Sequence, residues 1–264
     1  MRFGFIGDVV GRPGRQMLEQ YVKVYKDKFQ LDFVVANCEN ASGGFGLSST
    51  NALEIFDYGV DGITGGNHSF DKKDIIPLME KMPIIRPFNH YDAPGSGVLN
   101  LEKNGENLSI INMLGIMGSN IAKNAFLVTN EALKLCKSKN ILIDFHGQMT
   151  SEKMAYMWEF KGKVSAIFGT HTHVGTDDLK IELGTSYVSD AGLVGARQGV
   201  IGMDGDISVA GFKSGLKQSF KVNNTYKKIF QMIIVEVLDG KSSDVFKVKV
   251  IDDQEIITRG YIER

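Results

Sequence analysis

The chain has 264 residues, 43% of them hydrophobic and 23% charged, with a formal net charge of -1 and a pI near 6.5. That length and apolar content suffice for one large core, so a single domain over 1–264 is expected. The charge balance excludes a broad basic surface for nucleic acid but leaves room for a small nucleotide in a local pocket.

Residues 2–6 read as a buried strand, and Gly7-Asp8-Val9-Val10-Gly11 as the turn before a helix over 14–29, with Pro13 near its start. Asp8 then stands at the C-terminal end of a strand, the edge where functional sites of open α/β sheets collect; a side-chain turn or a helix cap is the plainer alternative. A second strand over 31–36 ends in Asn37-Cys38-Glu39-Asn40 and a glycine loop. A helix over 50–58 leads to a third strand, 61–64, which ends in Gly65-Gly66-Asn67-His68, with another helix starting near Asp71. Three successive βα units therefore end in side chains able to bind a metal.

Residues 84–113 change to short strands around the Asn104-Gly105 turn, which predicts antiparallel sheet. His90 lies in a turn-rich loop and is expected at the surface. A polar, irregular connection over 117–124 precedes a helix over 129–138. The apolar strand 140–146 ends in His146, a helix follows over 150–160, and the strand 164–168 runs into Gly169-Thr170-His171-Thr172-His173. Residues i and i+2 of an extended chain point to the same side, so His171 and His173 project together, roughly 6 to 7 Å apart at Cα. A β pair follows at 179–183 and 185–188. The glycine-rich stretch 195–214 reads as a loop over the site or an oligomer contact, and alternation over 217–251 predicts terminal antiparallel strands. The order of βα units, hairpins, βα units and strands predicts two packed sheets with helices outside.

Cys38 and Cys136 are the only cysteines, and without a CxxC pair they are expected as free thiols in a reducing compartment. The opening apolar run is broken too early to be a signal peptide, and no run reaches the roughly 18 residues of a membrane span. These features predict a cytoplasmic protein with no membrane partner.

Asp8, Glu39, Asn40, Asn67, His146, His171 and His173 offer only oxygen and nitrogen donors. Without thiolates a structural cysteine-type zinc site is excluded, and this mixture suits iron, manganese or zinc. So many donors exceed the needs of one open catalytic ion and suit two ions about 3.5 to 4 Å apart, the arrangement used for phosphoester hydrolysis. His68, adjacent to Asn67, can stand at the rim of such a site and protonate a departing alkoxide, or be a buried imidazole satisfied by backbone.

Gly7-Asp8, Asn37-Cys38-Glu39-Asn40, Gly66-Asn67-His68, Asp144-Phe145-His146 and Gly169-Thr170-His171-Thr172-His173 resemble, in order and spacing, the motifs of the calcineurin-like metallophosphoesterases. Phe5-Ile6-Gly7-Asp8-Val9-Val10-Gly11, Thr150-Ser151-Glu152-Lys153 and Ile201-Gly202-Met203-Asp204 extend the likeness over nearly the whole chain. They point to the YmdB-type branch, bacterial phosphodiesterases acting on 2′,3′-cyclic nucleotides. Val10 stands where a histidine usually follows the first aspartate, and Glu39-Asn40 replaces the usual bridging aspartate motif; both departures are typical of that branch. The resemblance implies the metallophosphatase fold, a four-layer α-β-β-α sandwich of two mixed sheets flanked by helices. It implies that Asp8, Glu39, Asn40 and His173 hold one ion and that Glu39, Asn67, His146 and His171 hold a second, with Glu39 bridging. The ions would be divalent or trivalent, iron first, with manganese or zinc as alternatives. The implied reaction opens a 2′,3′-cyclic nucleotide to a nucleoside monophosphate by attack of a metal-bridging hydroxide, with His68 giving a proton to the leaving ribose oxygen. A metal- and nucleotide-binding regulatory module with little turnover, and a phosphomonoesterase, are the alternative readings.

Overall fold

Along β1 (Arg2–Ile6) successive side chains point to opposite faces, and both faces are apolar: Phe3 and Phe5 enter one core layer and Ile6 another. A strand buried on both sides belongs in the middle of a layered sheet. The computed structural model, which describes residues 1–116, 121–225 and 227–263, places it there. The chain continues through α1 (Gly11–Phe29), β2 (Phe33–Asn37), α2 (Ser49–Asp57), β3 (Gly62–Thr64) and a 3₁₀ turn, Lys73–Ile75, that runs into the short α3 (Ile76–Met79). Next come β4 (Val98–Lys103), β5 (Glu106–Leu114), α4 (Ala125–Leu133), β6 (Ile141–His146), α5 (Thr150–Phe160) and β7 (Ala166–Thr170). The remainder forms β8 (Lys180–Glu182), β9 (Thr185–Val188), β10 (Gly195–Ala196), α6 (Gly205–Ser214), β11 (Lys228–Leu238), β12 (Lys241–Ile251), β13 (Gln254–Arg259) and β14 (Tyr261–Glu263).

Among the described residues these strands make two seven-stranded mixed sheets. The first runs β13-β12-β11-β1-β2-β3, with β10 beside β11, and the second runs β14-β8-β9-β7-β6-β5-β4. Strands β1 to β3 are parallel, as are β5, β6, β7 and β9, whereas β4–β5, β8–β9 and β11–β12–β13 are antiparallel. Helices α1 and α2 cover the first sheet, with Leu18, Val22 and Ile55 against Val34, Met232 and Ile234. The sheets meet through Phe3, Phe5, Phe33 and Val35 on one side and Leu108, Ile110, Leu142 and Phe168 on the other. Helices α4 and α5 cover the second sheet, with Ala125, Tyr156 and Phe160 against Ile143 and Phe145. The result is the four-layer α-β-β-α sandwich expected from the sequence. Each such side chain removed from water contributes about 1.5–3 kcal/mol, so these three apolar layers hold the sheets face to face.

The faces that look across to the other sheet change character toward one end. β2 presents Phe33, Val35 and then Asn37; β6 presents Leu142, then Asp144 and His146; β7 presents Phe168 and then Thr170; β5 presents Leu108, Ile110 and then Asn112. Because the parallel strands of both sheets end on one shared edge, their polar ends gather there. Asn37 of the first sheet donates to Asp144 Oδ2 of the second at 2.8 Å.

Several elements differ from the sequence expectation. The stretch 195–214 is not a loop: β10 pairs with β11, and α6 follows, capped by Asp204 Oδ1 accepting from Ile207 N at 3.0 Å and closed by Gly215 at φ 67°. Glycines at 205 and 211 mask the helix, since each weakens a helical pattern by about 1 kcal/mol relative to alanine. Helix α4 begins at Ala125 rather than 129 because Asn124 caps it, accepting from Phe126 N at 2.9 Å, and it ends at Leu133. The middle region is antiparallel only in β4–β5, joined through Asn104 and Gly105 at φ 53° and 82°; β5 pairs with β6 in parallel. Around Phe220 and Val222 the described residues form one bridge, Met203 to Val222, and the strand pairs extend past 251 into β13 and β14. Of the connection expected over 117–124, positions 117–120 lie outside the described residues. His90 is half-buried, not exposed: its ring stands edge-on to Phe70 at 5.3 Å, and Nδ1 lies 2.9 Å from Tyr91 O. Both cysteines are free thiols, and among the described residues no helix is long and apolar enough to cross a membrane.

Candidate metal centre

Five strand ends deliver the sequence-predicted donors to the shared edge. Asp8 follows β1, Glu39 and Asn40 follow β2, Asn67 follows β3, His146 ends β6, and His171 and His173 follow β7. In one group His146 Nε2 lies 3.1 Å from Asn67 Oδ1, 3.0 Å from His171 Nδ1 and 3.0 Å from Glu39 Oε1. In the other, His173 Nε2 lies 3.1 Å from the Asn40 amide and 3.7 Å from Asp8 Oδ1. Glu39 Oε1 also lies 3.3 Å from the Asn40 amide, so Glu39 touches both groups. Glu39, His146 and His171 form a group that could hold a metal ion, their ligand atoms all within 4.8 Å of one another.

The ring nitrogens facing the cluster are selected from behind. Thr170 Oγ1 donates to Asp144 Oδ1 at 2.6 Å, so toward His146 Nδ1, at 2.9 Å, it acts as acceptor. That hydrogen bond keeps a proton on Nδ1 and turns Nε2 to the cluster. Asp144 is itself held by Thr64 Oγ1 at 2.5 Å and Asn37 Nδ2 at 2.8 Å. His173 Nδ1 donates to Ile201 O at 2.9 Å, which leaves its Nε2 toward Asp8 and Asn40 in the same way. Gly66 permits the close approach: a Cβ there would overlap Glu39 Oε2 and stand 2.5 Å from His146 Nε2.

Burial and neighbouring charges shift several groups of the cluster. Burial works against the Glu39 charge, but His146 beside it, together with the charge and backbone N–H of His68, holds the carboxyl down at about 2. Burial likewise opposes a charged His146, yet Glu39, Asp8 and Asp144 push its imidazole up to about 9. His171 is depressed to about 4, by burial first and by His146 second. Burial raises Asp8 above the usual carboxylate range despite His173 and His146 nearby. Asp8 Oδ2 accepts from His171 N at 3.0 Å, while Oδ1 is buried without a hydrogen-bond partner among the described residues. A buried, unpartnered carboxylate oxygen costs several kcal/mol unless something positive meets it, and one lying beside imidazole and amide donors fits a metal ion. The residues present therefore fit the group that their chemistry implies.

The histidine loop has its own brace. His171 and His173 adopt φ of 100° and 66°, in the left-handed region that L side chains avoid. Asp190 Oδ2 accepts from Thr172 N at 3.0 Å, from Thr172 Oγ1 at 2.8 Å and from Lys153 Nζ at 2.9 Å, and Lys153 also donates to Thr170 O at 2.8 Å. Sequence reasoning missed Asp144, Thr170, Lys153 and Asp190 as parts of the site. Asp144 was recoverable, since it shares a strand face with His146; Lys153 stands in the Thr150-Ser151-Glu152-Lys153 motif, but nothing local to the sequence joins it to Asp190.

His68, read from the sequence as a proton donor, stands beside the cluster and lines a cleft of about 410 Å³ that opens over it. Its N–H donates to Glu39 Oε2 at 2.9 Å, its Nδ1 lies 2.8 Å from Asp71 Oδ2, and Phe45 packs edge-on at 5.0 Å. Val200, Met203, Phe212 and Phe220 give the same cleft apolar lining.

Comparison with known proteins is decisive: a sequence model of YmdB-like proteins matches residues 5–251. The chain belongs to the YmdB-like family. This YmdB-like chain is 36% identical over 260 residues to the 2′,3′-cyclic-nucleotide 2′-phosphodiesterase of Bacillus subtilis, covering 96% of this chain and 98% of that protein. Among solved structures, a hypothetical protein from Thermus thermophilus superposes with a TM-score of 0.89 at 31% identity, covering 98% of this chain and 100% of the other. A novel phosphatase from Mycoplasma pneumoniae gives a TM-score of 0.89 at 32% identity, covering 95% and 93%.

Proposed function

We propose that this YmdB-like protein is a dinuclear-metal phosphodiesterase that hydrolyses 2′,3′-cyclic nucleotides to nucleoside monophosphates, working as one cytoplasmic domain over 1–264. The observation that carries the reading is the division of the donors into two groups that share Glu39. The name of the Bacillus subtilis relative supports the choice of substrate. Asp8, Asn40 and His173 with Glu39 would hold one ion, and Asn67, His146 and His171 with Glu39 the other; iron is the first candidate, with manganese or zinc next. Asn40 would take part through Oδ1, which requires its amide to be turned over from the orientation set by the hydrogen bonds to Glu39 and His173. Bound there, the ions would polarise the phosphoryl oxygens and supply hydroxide at neutral pH.

The protein's own groups do the rest. The Asp144–Thr170–His146 chain and the His173–Ile201 hydrogen bond keep Nε2 of each imidazole turned inward. His68 commits Nδ1 to Asp71, so Nε2 is the nitrogen that exchanges a proton in the cleft. With its ring oriented by Asp71, His68 would give a proton to the ribose oxygen as the cyclic ester opens.

Metal-loaded protein should hydrolyse 2′,3′-cyclic AMP and bis(p-nitrophenyl) phosphate. His68→Ala should retain both ions by elemental analysis and lose about 100-fold or more of kcat. Failure of the wild type on both esters would reject the phosphodiesterase, and loss of metal from His68→Ala would make His68 a ligand. Product from a single turnover with stoichiometric ligand separates an enzyme from a regulatory binding module, and phosphate release from 5′-AMP would mark a phosphomonoesterase.

A further inference from the structure

We infer that the apolar lining of the cleft, Met203, Phe212 and Phe220 together with Phe45, is the subsite that holds the base of the nucleotide. The inference rests on the phosphodiesterase reading for what reacts, and it adds what recognises the substrate. One cleft is lined both by Glu39, His68, His171 and His173 and by these apolar side chains. A diester whose phosphorus meets the polar group would have the apolar side chains within the same cleft to receive its remaining substituent.

The chemistry of that lining suits a flat ring. Phe212 is 85% exposed and Phe220 is 41% exposed, so a good deal of aromatic surface faces water until something covers it. The hydroxyls lining the cleft are already committed as donors: Thr172 to Asp190 Oδ2 at 2.8 Å and Ser208 to Asp204 O at 2.7 Å. Neither offers its proton to a base edge. The Gln148 carboxamide also lines the cleft and can meet a base edge, while stacking and apolar contact would grip the faces of purines and pyrimidines alike. The volume, about 410 Å³, lies within the usual range for small-ligand sites. Phe45 ties recognition to chemistry, because the ring that would contact the base also packs edge-on against His68.

The segment that builds this wall is α6 and its flanks, for which the sequence pattern alone predicts a loop. Asp204 caps α6 at its start, and Met203 pairs with Val222, which ties the chain before the helix to the chain after it.

The test compares a nucleotide with a base-free ester of the same ring chemistry. Steady-state kcat/KM is measured for 2′,3′-cyclic AMP and for glycerol 1,2-cyclic phosphate with wild type, Phe212→Ala, Phe212→Trp and Phe220→Ala. The ratio of the two constants should fall about tenfold or more in each alanine variant, mainly through KM, and be retained in Phe212→Trp. Calorimetric binding of adenosine 3′-monophosphate and of inorganic phosphate gives a second readout that needs no turnover, and the preference for the nucleotide should fall in parallel. If wild type turns over neither ester but the binding preference still depends on Phe212, the hydrolytic reading fails and the subsite stands. An unchanged preference in both alanine variants overturns the subsite. So does a shift from dimer to monomer in sedimentation of Phe212→Ala with nucleotide preference intact, which would assign the exposed wall to a second copy of the chain.

Discussion

Removing Asp190 probes how the histidine loop is held. Its carboxylate accepts from Lys153 Nζ, Thr172 N and Thr172 Oγ1 through Oδ2, and from Gly192 N at 2.9 Å through Oδ1. Both partners of the ion pair have side chains only 2% exposed. Asp190→Ala leaves the Lys153 ammonium in that interior with Thr170 O, at 2.8 Å, as its other acceptor among the described residues. Breaking a buried pair from one side costs about 3–5 kcal/mol. The unmet Thr172 N–H would add about 1–3 kcal/mol, offset in part where water enters the space the carboxylate leaves. A net loss of about 3–5 kcal/mol is expected. Replacing both partners, Lys153→Met with Asp190→Ala, removes the orphaned charge and should be less damaging than Asp190→Ala alone. Urea unfolding at pH 7 of the wild type, both single variants and the double variant gives the coupling, expected to be at least about 1.5 kcal/mol. Metal content measured on the same samples should fall for Asp190→Ala, because His171 and His173 lose the contacts that keep them at positive φ. Single-variant losses that add to within about 0.5 kcal/mol in the double variant would refute the brace.

Gly66→Ala should leave the circular dichroism spectrum unchanged while lowering metal affinity at least about tenfold, since its Cβ falls 2.5 Å from His146 Nε2; full metal content in the variant would count against the cluster. Lys247, 6% exposed, is brought down to about 8, by burial first and then by Lys249, against the pull of Asp190, Asp178 and Asp177. The unfolded chain then binds the extra proton between pH 8 and pH 10.5, so this group's contribution to stability rises with pH across that window, by about 3 kcal/mol. Lys247→Met should accordingly gain most over wild type at pH 7 and lose that advantage toward pH 10.5; a difference that does not change with pH in denaturant titrations would refute the assignment.

Much of the site was legible because the chemistry is local to strand ends. Asp8, Glu39, Asn40, Asn67, His146, His171 and His173 each follow or end an apolar run, and the strand period of two put His146 and Asp144 on one face. The helix α6 was not legible, because its glycines obscure the periodicity and its Asp204 cap resembles any loop aspartate. The aromatic wall went unseen with it, since Phe45 and Phe212 are far apart in the chain and neither stands in a motif.

From its order of residues alone, this protein's layered sheets and its candidate donors follow, because strands buried on both faces read as continuous apolar runs and their polar ends stand directly after those runs. The tertiary structure decided which donors share a group, which nitrogen each imidazole turns inward, and what lines the cleft. Those depend on contacts such as Thr170 with His146, His173 with Ile201 and Lys153 with Asp190, which arise only when two sheets bring their C-terminal edges together.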